Sequence, residues 1–293
     1  MGLSGGVVVA VDDARRSAAA LRWGAEEARR EGRPLILLHA AGHLPQQLSY
    51  AERHHLRPAL RAAGLQVLAE AGRVVRDAVR DVPVRDMLRL TELRAVLAEV
   101  RRDAHLVVVG PETWAATAPD LVGQLSGLPA RRSPAPVVVL GRPSASLDGH
   151  VLAATATSVP PADVLDFAYA DASRRRVDLE VLLPRDDPAD SGAWLGQGVR
   201  AVPSSVHAED VARCLARLRD AHAGAVPHPT RVTVSTVGTG RDLLARSSVA
   251  AVAVLGSGHV AAGRRPGTPD LGVQLVQRMR CPVAVVTGHP AVA

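Results

Sequence analysis

The sequence predicts an α/β protein made of two tandem copies of one five-stranded unit, each a parallel sheet covered by helices. Three observations carry this. Short β-branched or leucine-rich runs bounded by Gly, Pro or Asp alternate with longer segments of helical period, the pattern of parallel strands buried on both faces. The chain also repeats itself. A shift of 144 residues lays VVVAVDDARRSAAALRWGA from Val7 on VLAATATSVPPADVLDFAY from Val151, and Leu35, Leu37 and Leu38 on Leu179, Val181 and Leu182. A shift of 146 lays HLVVVG, ending at Gly110, on AVAVLG, ending at Gly256, and PVVVL from Pro136 on PVAVV from Pro282. Finally, 293 residues with 47% apolar and 22% charged content suit two ordinary globular domains, each with its own core.

Taken in order, the first unit is expected to hold strands at about 6–11, 34–39, 82–88, 105–109 and 136–140. Between the first two, Ser17 to Arg30 places Ala18, Leu21, Ala25 and Ala28 on one stripe and Arg22, Glu26, Arg29 and Arg30 opposite, as a crossover helix requires. Residues 48–80 read as a long alanine- and arginine-rich helix and 92–102 as a shorter one. GRPSASLDG, residues 141–149, reads as the linker between domains spanning 1–143 and 148–293. The second unit is expected to have strands near 150–155, 178–183, 230–235, 250–255 and 282–286, with a Pro-, Gly- and Asp-rich loop over 184–203 in its second crossover.

Composition excludes several chemistries. The chain has no lysine and no asparagine, so all 35 basic residues are arginine. A Walker phosphate loop, a Schiff-base enzyme and a protein kinase each lack a required residue. The net charge of +6 and an aromatic content of 2% argue against a nucleic-acid groove. The longest apolar runs fall well short of the roughly 20 residues that cross a bilayer, and MGLSGGVVVAVDD lacks the pattern of a secretory leader, so no membrane partner and a cytoplasmic location are expected. Cys214 and Cys281 stand alone and are expected as small buried apolar residues.

Both units resemble the universal stress protein domain. VVVAVDDARRSAAALRWGAEEARREGRPLILLHA, residues 7–40, is similar throughout to that family's first strand, first helix and second strand, and RDAHLVVVG and APVVVL resemble its fourth and fifth strands. The resemblance implies two doubly wound parallel sheets of order 3-2-1-4-5, packed as an intramolecular pseudo-dimer through PVVVL and PVAVV, with homodimers a further option. It also implies a ligand crevice between strands 1 and 4 at their carboxyl ends. Nucleotide-binding members carry Gly-x2-Gly-x9-Gly-Ser/Thr after strand 4, where glycine backbone and a hydroxyl meet phosphate. Here Gly110, Thr113, Gly123 and Gln124 fill those places in unit one, and Gly256, His259, Pro269 and Asp270 in unit two, where Gly258 also lies in the loop. The family's ribose carboxylate and adenine-contacting backbone correspond to Asp12 and Ala40 in unit one but to Ala156 and Pro184 in unit two.

The expectation is therefore a non-catalytic stress-response or regulatory protein with weak or absent nucleotide binding, its second site lost. The alternative is an ATP-binding protein that holds one adenine nucleotide, with magnesium, in unit one; slow ATP hydrolysis is a third reading. Other candidates read blandly. Ser4 to Gly6 precedes its strand, unlike the phosphate loop of ATP pyrophosphatases. Arg264 and Arg265 are expected as solvated loop residues, and Arg174 to Arg176 as partners of a helix C-terminus. His39, His43, His54 and His55 lack metal-ligand spacing, and adjacent Asp12 and Asp13 suit a helix cap or a ribose better than acid–base work. No metal is expected, and the protein partner is not legible.

Overall fold

The computed structural model describes residues 5–42, 47, 49–126, 135–141, 149–154, 161–184, 212, 216, 220, 230–237, 240–257 and 271–286. The chain divides into two compact units, Met1–Leu121 with Arg132–Leu140, and Val122–Arg131 with Gly141–Ala293.

In the first unit the order is β1 (Val7–Ala10), α1 (Ala18–Arg30), β2 (Leu35–Ala40), α2 (Tyr50–Ala78), β3 (Val84–Arg89), α3 (Leu93–Val100), β4 (Leu106–Val109), α4 (Pro111–Ser126) and β5 (Val137–Val139). The strands run parallel in the order β3-β2-β1-β4-β5, with Val7 beside Leu35 on one side and Leu106 on the other. Val7 to Val9 and Leu106 to Val109 are wholly buried, as uninterrupted valine runs in a sheet covered on both faces must be. On α1, Leu21, Gly24, Ala25 and Ala28 face the sheet, and Gly24 lets the helix sit down on it: a Cβ there would overlap Val9 Cγ2.

The second unit repeats the plan with β6 (His150–Ala154), α5 (Ala162–Arg175), β7 (Leu179–Pro184), β8 (Val232–Val237), α6 (Gly240–Arg246), β9 (Ala250–Gly256), α7 (Leu271–Arg278) and β10 (Val283–Val286). Its parallel strands lie in the order β8-β7-β6-β9-β10, the same reversal about the first strand. The expected loop over 184–203 lies outside the described residues, save Pro184 at the end of β7, as do most of the expected linker and Cys214.

The repeat extends to small details. Gly32, at φ 60°, ends α1, and Arg33 N–H reaches back to Ala28 O at 2.9 Å; 144 residues on, Arg176 takes φ 61°, and Val177 N–H reaches Ala172 O at 3.0 Å. Arg176 thus adopts a left-handed conformation that favours glycine. Its neighbours Arg174 and Arg175 lie in the last turn of α5, as expected, and also engage one buried carboxylate: Arg175 Nε donates to Asp171 at 2.8 Å, and Arg174 lies 3.8 Å from it. The link into the last strand is tied down in both units, by Arg101 Nε donating to Ala135 O (3.1 Å) in the first and Arg280 N–H donating to Ser247 Oγ (3.1 Å) in the second. Arg101 is buried, and desolvation lowers its guanidinium to about 10.

Candidate functional site

In a doubly wound sheet the crossovers change direction beside the first strand, so a crevice opens between β1 and β4 at their carboxyl ends. Unit one places Asp12, Ala40 and Gly110 at that rim, just after β1, at the end of β2 and just after β4. Asp12 is exposed, and its Oδ1 accepts from buried Ser17 Oγ (2.9 Å) and from Asp13 N–H (2.7 Å). Asp13 closes the turn into α1: its Oδ1 accepts from the N–H groups of Arg15 (2.9 Å) and Arg16 (3.0 Å). The Arg16 N–H is the main reason its carboxyl lies below the ordinary aspartate range. The two carboxylates diverge into local turns, as expected from adjacent positions at a strand end. His39 Nδ1 lies 2.7 Å from Val11 O, which places a proton on that nitrogen and fastens the end of β2 to the exit of β1.

The phosphate side differs from the expected loop. Trp114 N–H donates to Gly110 O at 2.9 Å, so Gly110 is the N-cap of α4 and Pro111 its first helical residue. No loop separates β4 from this helix. Gly123 and Gln124, expected near Gly110 in a phosphate loop, instead lie in the last turns of α4; thirteen residues at 1.5 Å each put Gly123 about 20 Å along the axis. The difference has a local cause over 111–118, where Pro at N1, Glu in the first turn and the alanine-rich WAATA favour helix; the helix then continues through Pro119. Thr113, Trp114, Thr117 and Ala118 form the buried face of α4, and Thr117 Oγ1 donates back to Thr113 O (2.6 Å), so Thr113 is packed into the interior.

Glu112 is the acidic residue nearest the start of α4. Its carboxylate lies in the first turn of α4, where the helix dipole favours an anion, and it pairs with Arg16 at 3.3 Å. Both side chains are well exposed, so the pair itself contributes little stability. Above Gly110 there is open space, since a Cβ built there would meet nothing within 4 Å.

In unit two the end of β9 is more crowded than the end of β4. A Cβ on Gly256 would come within 3.3 Å of Val164 Cγ2, and Val164 is completely buried. Its repeat partner in unit one is the smaller Ala20, so one difference in side-chain size narrows space that the first unit leaves free. Pro184 ends β7 beside Val237, at the place of Ala40. Ala156, Gly258, His259, Arg264, Arg265, Pro269 and Asp270 lie outside the described residues, as do Ser4 and His43.

Glu112 and Val164 escaped the sequence reading. Pro-Glu straight after a strand-ending glycine signals a helix start, and Val164 stands out when aligned with Ala20. Among the described residues no helix is long and apolar enough to cross a membrane.

The model described as the universal stress protein family fits residues 6–141. A universal stress protein of Mycolicibacterium smegmatis is 28% identical over 186 residues, 60% of this chain and 63% of the relative, so that match spans somewhat under two thirds of the relative's length. A universal stress protein of Mycobacterium tuberculosis H37Rv is 30% identical over 294 residues, covering 96% of this chain and 95% of the relative. The crystal structure of a universal stress protein from Archaeoglobus fulgidus DSM 4304 covers 99% of both chains with a TM-score of 0.58 at 14% identity, a likeness of fold. With sequence similarity running through both of its repeats, the chain belongs to the universal stress protein family of stress-response proteins.

Proposed function

We propose that this chain acts in the stress response as a non-catalytic regulatory protein of the cytoplasm whose nucleotide crevices have been given up, the second more completely than the first. The observation that carries this reading is the direct passage from β4 into α4 at Gly110, with Glu112 in the first turn. A triphosphate there would lose the glycine loop that wraps it and would meet a carboxylate that repels it. Magnesium would not remove the steric problem, because helix stands where the loop would be. In unit two, Val164 over Gly256 and Pro184 in place of Ala40 support the same reading twice over.

A second reading, one adenine nucleotide in unit one, is favoured by the open space at Gly110 and by Asp12, whose Oδ2 accepts no hydrogen bond among the described residues. Thermal unfolding with and without millimolar magnesium-ATP separates the two. A ligand at a hundred times its Kd adds about 2.7 kcal/mol, a shift of several degrees in Tm. The proposal expects no shift that Asp12→Ala removes; a shift of several degrees lost in that variant would favour the second reading.

A further inference from the structure

Helix α2 is longer than the sheet it covers. Its 29 residues rise about 43 Å, twice the roughly 20 Å of a six-residue strand such as β2 or β3. Gly64 marks where the cover ends: a Cβ there would collide with Leu88 Cδ1 (2.5 Å) and crowd His39 Cδ2 (3.1 Å), both near the carboxyl ends of their strands. Because α2 descends from those carboxyl ends, residues 50–63 stand above the rim, on the side of Asp12, Ala40 and Gly110.

A single seam runs the length of the helix. Steps of four and three residues connect Tyr50, His54, Arg57, Arg61, Gly64, Leu68, Ala71 and Val75, which share one face. Below the rim Gly64, Leu68, Ala71 and Val75 are buried; above it Tyr50, His54, Arg57 and Arg61 are all exposed. The seam changes from apolar to basic at the level where the sheet stops. Tyr50 and His54 stack with ring centroids 6.2 Å apart and 18° between planes. Arg57 and Arg61 lie one turn apart, and neither has an acidic partner among the described residues. The only acid in 50–63 is Glu52, which is engaged by Ser49 in the capping box.

We propose that this overhanging seam binds an oligophosphate, with Arg57 and Arg61 holding successive phosphoryl groups by bidentate contacts and the stacked Tyr50–His54 pair closing the outer end. Guanidinium forks match phosphate oxygens, and two of them about 6 Å apart, on either side of Pro58 in a helix that continues through it, suit a ligand with several anionic groups in line. The site is independent of the crevice reading, since it needs no nucleoside at Asp12.

The test is calorimetric titration of the full chain with inorganic tripolyphosphate at low ionic strength, without magnesium. Binding should weaken at least fivefold in the double variant Arg57→Gln/Arg61→Gln and stay within twofold in Asp12→Ala and in the control Arg22→Gln/Arg102→Gln, which removes two exposed arginines elsewhere. Raised salt should weaken wild-type binding, as counterion release requires. No binding by the wild type, a smaller loss in the seam variant, a loss beyond twofold in either control, or equally tight binding of a hexaglutamate peptide would each overturn the proposal.

Discussion

Gly24 and Val9 form a matched pair whose counterpart in the second unit is Ala168 and Ala153, so the same space is filled by two different divisions of volume. Gly24→Ala alone should overpack the interface and cost about 1–3 kcal/mol. Val9→Ala added to it should restore part of the loss, a coupling that a denaturant double-mutant cycle measures directly. Arg176 makes a complementary case. It holds a left-handed conformation where the first unit has Gly32, and Arg176→Gly should raise stability by about 1 kcal/mol in chemical denaturation. Cys281 is buried, and desolvation pushes its thiol up to about 12, so at pH 8 it is almost wholly protonated. Alkylation at that pH, followed by peptide mass spectrometry, should label Cys281 only after unfolding. Its burial was legible in advance from a lone cysteine beside a valine strand, whereas the matched pair at Gly24 emerges only once the two repeats are compared in three dimensions.

At the scale of elements, strands and crossover helices were readable because period and punctuation agree: valine runs for β1, β4, β5 and β10, and a clean amphipathic stripe for α1. After β4 the chain passes directly into helix where the family spacing implies a loop, and Pro111, Glu112 and the alanines that follow favour that start locally. The overhang of α2 was not legible, since period reports which face a helix presents but not how much sheet lies beneath it. Its exposed half gains little from packing, so its end depends on local bonds. Ser49 Oγ accepts from Glu52 N–H, and the Glu52 carboxylate accepts from the Ser49 hydroxyl at 2.7 Å and from Ser49 N–H at 2.8 Å; these two bonds, the hydroxyl first, hold the Glu52 carboxyl below the ordinary glutamate range. Ser49→Ala should cost about 1 kcal/mol, seen as faster amide hydrogen exchange in 50–63 with 64–78 unchanged. A lowered glutamate pKa stabilises above its unfolded value and is lost as pH falls through the folded one, so the protection factors of the same amides, measured against the intrinsic exchange rate at each pH, should fall in moderately acidic solution while those of 64–78 hold.

For the whole molecule, duplication was the most secure inference from sequence, because four apolar blocks kept their order at nearly constant offset and both units then built the same strand order. The repeats differ at the described strand ends: the first unit has an exposed carboxylate at Asp12 and open space at Gly110, and the second brings Val164 close to Gly256. The proposed function rests on the scaffold of the family together with a helix directly after β4. Calorimetric titration of the purified chain with magnesium-ATP at physiological salt tests this most directly. The account predicts no crevice binding, so that Asp12→Ala changes nothing; a micromolar affinity abolished by Asp12→Ala would contradict it.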